Sequence, residues 1–265
     1  MSGTVEAVMN YVARTGVRPV YHANDSSKDV LTIDPRPVRI ADGRETRPQL
    51  GTHGFELVEH KSRVGDFTDV EGWADLHRLE IAELVKAHSG ADLVIVNAPG
   101  LLRFGEKSKL SGKLNNSKPA RFAHVDVSDK TAAAFGIRGR PEGAVRQVHF
   151  NVWRAISPPP QDVPLAFCDA RSVAPDDLIL SDAVFDDPIK PHWSFEGITV
   201  AANPSHRWTY FSDMTLGEAV IFTTNDSDPA MPHCVPHCAF DDASVPADVP
   251  PRASIEMRAT AYWIQ

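Results

Sequence analysis

Beyond residue 92 the chain never sustains a helical period for more than a turn or two. It runs instead as short apolar segments rich in β-branched residues, each closed by turn signals. Such runs occupy 93–96, 120–127, 145–156, 163–168, 177–180, 196–201, 206–211, 218–224 and 254–264. Asp176-Asp177, Asn203-Pro204 and the stretch Asn225 to Pro229 separate some of them, and prolines cluster at 158–160 and 250–251. Proline cannot continue a helix and interrupts a central strand, so long helices are excluded there. Many short strands at modest spacing predict a β sandwich or barrel. All-β domains often reach about 200–250 residues, so the 265 residues are expected to form a single domain. Within it, residues 1–90 read as an N-terminal extension and 91–265 as the β core.

The extension is less regular. Residues 69–88 predict the one convincing helix, with Trp73, Leu76, Leu79, Ile81, Leu84 and Val85 at roughly helical spacing. Acidic residues gather at its start, Lys86 and His88 lie at its end, and Gly90 is a plausible stop. Residues 4–12 are expected to form a short flanking helix, 18–50 to be extended or looped, and Phe55 to Val58 to form a strand. A short helical turn is expected over Lys130 to Phe135.

Composition excludes several functions. The net charge is −8, with Lys and Arg scattered singly. A nucleic-acid surface needs clustered cations to displace counterions, so none is expected. No apolar stretch approaches the roughly 18 residues of a membrane span. The start of the chain lacks the pattern of a signal peptide, and a cytoplasmic location is the default expectation. Three cysteines are too few for a disulfide framework.

The chemistry-bearing feature is His124-Val125-Asp126. On a strand, residues i and i+2 share a face, so an imidazole and a carboxylate can reach one ion. With a distant second histidine they make the two-His, one-carboxylate set that leaves open positions on iron. Alone, the tripeptide means little. Eleven histidines and 35 acidic residues give about 1.4 such matches by chance, and one is present. The C-terminal region adds the missing parts. His237 precedes a short apolar run, and Arg252-Ala253-Ser254 follows fifteen residues later. Arg252 and Ser254 share a strand face, and a guanidinium forks onto a carboxylate with two charge-assisted bonds. That pair suits the distal carboxylate of 2-oxoglutarate, whose 2-oxo acid end would chelate the metal. Arg258, of the same parity, is the rival anchor.

Several blocks then resemble a known family. PARFAHVDVS (119–128), HFNVWRAI (149–156), PLAFCDARSV (164–173), NPSHRWTYFSDMTLGEAVIF (203–222), PHCAFDD (236–242) and PPRASIEMRATAYW (250–263) are similar in order and spacing to one family of oxidoreductases. It is typified by CmcJ of cephamycin biosynthesis and by the fungal gibberellin desaturase and AsaB proteins. The resemblance runs from about residue 54 to the end. It implies a double-stranded β-helix (jelly roll, cupin-like). It also implies iron(II), 2-oxoglutarate and dioxygen as cofactor and cosubstrates, and hydroxylation, desaturation or a related C–H oxidation of a small natural product. Residues 1–50 lie outside the resemblance. Cys238 is an unusual neighbour for His237, and Ala253 stands where an acidic residue is common.

Other residues have competing readings. Arg154 can meet a cosubstrate carboxylate or form a structural pair. His206, Trp208 and Tyr210 share one strand face; if it points inward, Tyr210 can hydrogen-bond 2-oxoglutarate, and otherwise all three pack. Trp153 and Trp263 read as core. His233, Cys234, His237 and Cys238 lie within six residues and offer a zinc alternative. A cupin-like metal hydrolase or isomerase is a second alternative, but it leaves Arg252 and Ser254 without a purpose. A ligand-binding barrel without catalysis would not need the complete ligand set. No Gly-x-Ser-x-Gly elbow and no Gly-x-Gly-x-x-Gly motif occurs.

Overall fold

A computed structural model describes residues 3–67, 73–96, 100–187, 189 and 192–265. In chain order the elements are β1 (Thr4–Val12), β2 (Val20–His22), β3 (Ile33–Asp42), α1 (Gly43–Thr46), α2 (Leu50–His53), β4 (Phe55–Glu59), α3 (Ala74–Ser89), β5 (Leu93–Ile95) and β6 (Leu101–Phe104). Then come β7 (His124–Val125), α4 (Asp129–Gly136), β8 (Ala144–Ala155), β9 (Leu165–Cys168), β10 (Leu178–Phe185) and β11 (Trp193–Val200). The last are β12 (Trp208–Tyr210), β13 (Glu218–Asp226), β14 (His237–Ala239) and β15 (Ala253–Ile264).

Two sheets face each other as a jelly roll. One has the order β1-β3-β12-β9-β14-β7-β11-β10-β2. The other runs β4-β13-β8-β15-β5, with β6 also pairing with β15. Between them Phe55, Trp153 and Phe222 from the second sheet meet Phe167, Val235 and Ala239 from the first side. Phe167 stacks on Phe55 and meets Phe222 edge-on. Strand alternation fixes what else points inward. Asn151 on β8 lies opposite Arg258 on β15, with Trp153 opposite Glu256 and Ala155 opposite Ser254. The inner stripe of β15 therefore reads Ser254, Glu256, Arg258, Thr260.

The outer face of the second sheet is covered by α3, whose Ile81, Leu84 and Val85 bury against Ile255, Met257 and Ala259. This helix ends as expected, on Gly90 at φ 70°, with its N–H bonded to the Lys86 carbonyl. Residues 69–72 of the expected helix lie outside the described residues. Leu79, read as part of the apolar stripe, is 61% exposed, because the inward face is carried by His77, Glu80, Ile81 and Leu84. The Glu80 carboxylate, almost fully buried, accepts from Ser62 Oγ at 2.6 Å, from the Arg63 N–H at 2.7 Å and from His77 Nδ1 at 3.1 Å.

A pH dependence follows from this cluster. Burial pushes His77 down to about 4. Burial opposes charge on Glu80, but its donors outweigh that and hold it at about 2. Both folded-state values lie below those of the unfolded chain, so the unfolded chain binds more protons on acidification. Stability from His77 is full above about pH 6.5 and declines toward pH 4. That from Glu80 is full above about pH 4.5 and is lost as pH falls through 2. Glu80→Gln is expected to cost on the order of 2 kcal/mol at pH 7, with the deficit shrinking below pH 4.5. Urea unfolding across that range checks this, and a deficit independent of pH would contradict it.

Residues 4–12 form a strand, not a helix. Thr4, Val5, Val8, Tyr11 and Val12 favour extended backbone, and β1 pairs antiparallel with β3 along its whole length. Met9 and Tyr11 are buried while Val8 is exposed, the alternation of a half-buried strand. Pro35 and Pro37 stand in β3 beyond the reach of β12, which pairs only with Ile40 to Asp42, so their missing donors interrupt no second ladder. Much of 18–50, expected to be extended or looped, is likewise drawn into the first sheet through β2 and β3.

Candidate metal centre and its pocket

Adjacent strands of the first sheet bring the metal-ligand types together. His124 on β7 is the direct cross-strand neighbour of His237 on β14 and of Thr199 on β11, and His237 is also opposite Phe167. Both histidines therefore share the inward face, and Asp126, two residues on, points the same way. His124 Nε2 lies 3.7 Å from Asp126 Oδ1, and His237 Nε2 lies 3.9 Å from the same oxygen. All three donor atoms are within 4.8 Å of one another, a separation that one first-row metal ion can bridge. Among the described residues this is the only such group of His, Cys, Asp or Glu.

The ring nitrogens are already assigned by their neighbours. His124 Nδ1 lies 2.9 Å from the Phe122 carbonyl and His237 Nδ1 3.1 Å from the Val235 carbonyl. A carbonyl only accepts, so each Nδ1 carries the proton and each Nε2 presents a lone pair to the centre. Burial keeps both rings neutral. It pushes His124 down to about 4, helped by His237, and lowers His237 as well. Asp126 stays ionised. Burial opposes its charge, but the Arg258 guanidinium and the Asn151 amide hold the carboxyl well below the usual range. Two neutral imidazoles and one carboxylate fit a divalent ion that keeps open positions.

The backbone is shaped for this packing. A Cβ on Gly197 of β11 would come within 3.0 Å of the Asp126 carbonyl oxygen and 3.1 Å of the Tyr21 hydroxyl. A side chain there would push on both neighbours. Gly197→Val is expected to lower stability by about 1–3 kcal/mol through overpacking and to weaken metal binding by displacing Asp126. Urea unfolding and metal titration of the variant test this, and wild-type values in both would contradict it.

Arg252 is buried at the deep end of the same inner stripe. Its Nη1 donates to the Val163 carbonyl at 2.8 Å, and its guanidinium carbon lies 5.6 Å from the Trp153 ring centroid. Its Nε is buried with no hydrogen-bond partner, and no carboxylate pairs with it among the described residues. Burial, with Arg103 nearby, lowers its pKa. An unpaired buried cation is costly, and the nearby Glu106 and Asp162 carboxylates offset only part of that cost. Ser254 lies next on the stripe, its Oγ only 3.5 Å from the Arg103 carbonyl. Arg258 is different: it already sits 3.1 Å from Asp126 and 3.3 Å from Glu256. Two cavities, of about 480 and 820 Å³, border the triad and share Asp126 and Arg258 in their walls. The larger carries Ile95, Val127, Phe135 and Trp193. The smaller is walled in part by Tyr21, Leu31 and Ile33, from the N-terminal segment whose role the sequence left open.

Two residues expected near the cosubstrate are not brought to the triad. Tyr210 lies with His206 and Trp208 on the face away from the second sheet, because Trp208 is opposite Cys168 rather than Phe167. Tyr210 meets Phe240 edge-on, while His206 and Trp208 both bond the Tyr11 hydroxyl. Arg154 is directly opposite Ile255, so it points toward the α3 side, where it contacts the His60 carbonyl and ring. The zinc alternative is also dispersed. Cys234 packs on Val125 and Ile198, Cys238 lies in the outer layer with Trp208, and His233 pairs with Asp129 at 2.9 Å. Asn151, Glu256 and Arg258 are the inward residues to which the sequence had assigned no metal-side role.

Known proteins share this chain's sequence and fold. The oxidoreductase/YMDC permease-like domain family matches residues 9–262. The chain is 31% identical over 250 residues, 86% of its length and 84% of the relative's, to the Fe(II)/2-oxoglutarate-dependent dioxygenase nvfI of Aspergillus novofumigatus. It is 32% identical over 254 residues to the hydroxylase/desaturase CTB9 of Cercospora beticola, covering 87% and 77% of the two chains. The solved structure of the iron and alpha-ketoglutarate-dependent endoperoxidase NvfI superimposes with a TM-score of 0.84 at 28% identity, over 100% of this chain and 99% of that one.

Proposed function

Because the chain belongs to the oxidoreductase/YMDC permease-like family, with iron(II)/2-oxoglutarate-dependent dioxygenases among its relatives, we propose that His124, Asp126 and His237 hold its iron(II) and that Arg252 and Ser254 receive 2-oxoglutarate. The protein is an iron(II)- and 2-oxoglutarate-dependent dioxygenase acting on a small molecule. The observation that carries the site assignment is the convergence of two neutral Nε2 atoms and one carboxylate oxygen on a single point. The buried, unpaired Arg252 supports the cosubstrate assignment, since a forked cation at the end of that stripe matches a distal carboxylate. A hydrolase or isomerase without 2-oxoglutarate would leave this cation without a function.

Bound iron(II), with 2-oxoglutarate and dioxygen, supplies the oxidation itself: the oxo acid loses carbon dioxide to become succinate while a substrate C–H bond is oxidised. The chain's own residues do the rest. The Phe122 and Val235 carbonyls fix the ring orientation of the two histidines. Arg252 and Ser254 fix one end of the cosubstrate, which leaves its chelating end at the triad. The apolar part of the larger cavity's wall, with Ile95, Val127, Phe135 and Trp193, shields a substrate beside Asp126 from water. A natural product with an apolar body suits the larger cavity, lined by Phe135 and Trp193. No helix among the described residues is long and apolar enough to cross a membrane. Both sheets draw strands from the N-terminal region as well as from the later chain, which supports reading residues 1–265 as one domain.

The test uses manganese(II) as an oxygen-stable stand-in for iron(II). 2-Oxoglutarate is expected to raise the melting temperature only when the metal is present, because a ligand of the folded state stabilises it by mass action. Neither addition should stabilise His124→Ala. Absence of any shift in wild-type protein would contradict the assignment.

A further inference from the structure

We propose that Asn151 and Arg258 form a clamp on the outer oxygen of Asp126, acting as positioning residues that turn its other oxygen toward the two histidines. The inference rests on the iron site assigned above and adds two residues to it. A carboxylate turns easily about its terminal torsion, which has broad minima, so a ligand oxygen needs outside partners to stay aimed. Here Asn151 Nδ2 donates to Asp126 Oδ2 at 2.7 Å, and Arg258 Nη2 lies 3.1 Å from the same atom. The hydrogen-bonding amide and the ion-paired guanidinium are direct cross-strand neighbours on β8 and β15. They reach Asp126 from the opposite sheet and leave Oδ1 alone with His124 and His237. Arg258 is steadied in turn by Glu256 at 3.3 Å. Its charge is matched by the Asp126 carboxylate, in contrast to Arg252, which has no such ion pair, so it is not the cation that waits for 2-oxoglutarate.

Partners that orient a metal ligand typically contribute about 10–100-fold to metal affinity. Two substitutions keep the formal charge of the site while breaking the clamp, Asn151→Ala and Arg258→Lys. Each is expected to weaken iron(II) binding by about 10–100-fold in anaerobic titration. The visible bands of the cobalt(II)-loaded protein should change as the carboxylate turns. At saturating iron(II), 2-oxoglutarate affinity should stay within about threefold of wild type, a separation that a general loss of packing would not produce. Urea unfolding of the metal-free variants identifies any that fail to fold, and Asn151→Ser, smaller in effect on packing, replaces Asn151→Ala if it does. Iron(II) affinity and cobalt(II) bands unchanged in the folded variants would overturn the clamp. So would a loss of 2-oxoglutarate affinity in Arg258→Lys with normal iron(II) affinity, which would make Arg258 the anchor. Wild-type protein that binds no iron(II) would instead remove the metal site, and the clamp with it.

Discussion

Asp126→Ala is expected to abolish turnover and to weaken iron(II) binding by more than about 100-fold, beyond what loss of an orienting partner costs. Asp126 is the only anion in the donor set, and its Oδ1 is the atom that both Nε2 atoms approach. Two neutral imidazoles alone cannot hold a labile divalent ion against water with comparable affinity. Asp126→Asn separates charge from shape. It keeps the planar group between Asn151 and the histidines, yet should lose most of the binding because an amide oxygen carries no formal charge. Circular dichroism and urea unfolding of the metal-free variants show whether the fold survives. A folded Asp126→Ala protein with undiminished iron(II)-dependent turnover would remove Asp126 from the ligand set.

The second large effect concerns Arg252. Arg252→Ala is expected to weaken 2-oxoglutarate by about 30-fold or more, corresponding to the 2 kcal/mol or more that truncation of a buried charge pair costs. Iron(II) affinity should be unchanged. Arg252→Lys should recover only part of the loss, since an ammonium cannot present the planar fork. The metal-free protein should not be greatly destabilised by either change. What is removed is a buried cation without a paired carboxylate, held by a bond to the Val163 carbonyl and by the Trp153 ring. Equal 2-oxoglutarate affinities for wild type and Arg252→Ala, measured at saturating metal, would show that the anchor lies elsewhere.

The β core was legible because its strands are short and bounded by turn residues, and most lie within a few residues of where the runs placed them. β10 and β11 are longer than expected, and β6 and β14 are additional. The helix over the later part of 69–88 was legible for the same reason, a sustained period ended by Gly90. The N-terminal strands were not. A nine-residue segment such as β1 has no partner in its own sequence neighbourhood that would reveal a sheet, and its pairing with β3 spans a connection containing β2. The three metal-ligand types were legible as a pattern because i, i+2 spacing on a strand fixes a common face. Which face a distant strand turns inward is a different matter. Every residue of β8 from Gln147 to Ala155 is buried, so hydrophobicity could not tell that Asn151 faces the triad and Arg154 faces away. The same ambiguity hid the outward face of β12. The grouping of His206, Trp208 and Tyr210 on one face was right in parity, but that face packs against β1 rather than against the cofactor pocket. Arg258 is opposite Asn151 in register, and only the register reveals that the rival anchor is occupied by Asp126.

The His124, Asp126 and His237 donor set and Arg252 are expected to serve one chelate. The most direct measurement is an anaerobic titration of metal-free protein with iron(II) and then 2-oxoglutarate, followed by visible absorption. The expected result is a weak charge-transfer band that needs both additions, is lost in His237→Ala, and requires far more 2-oxoglutarate in Arg252→Ala. Iron(II) bound by wild-type protein, with a spectrum indifferent to 2-oxoglutarate, would contradict it.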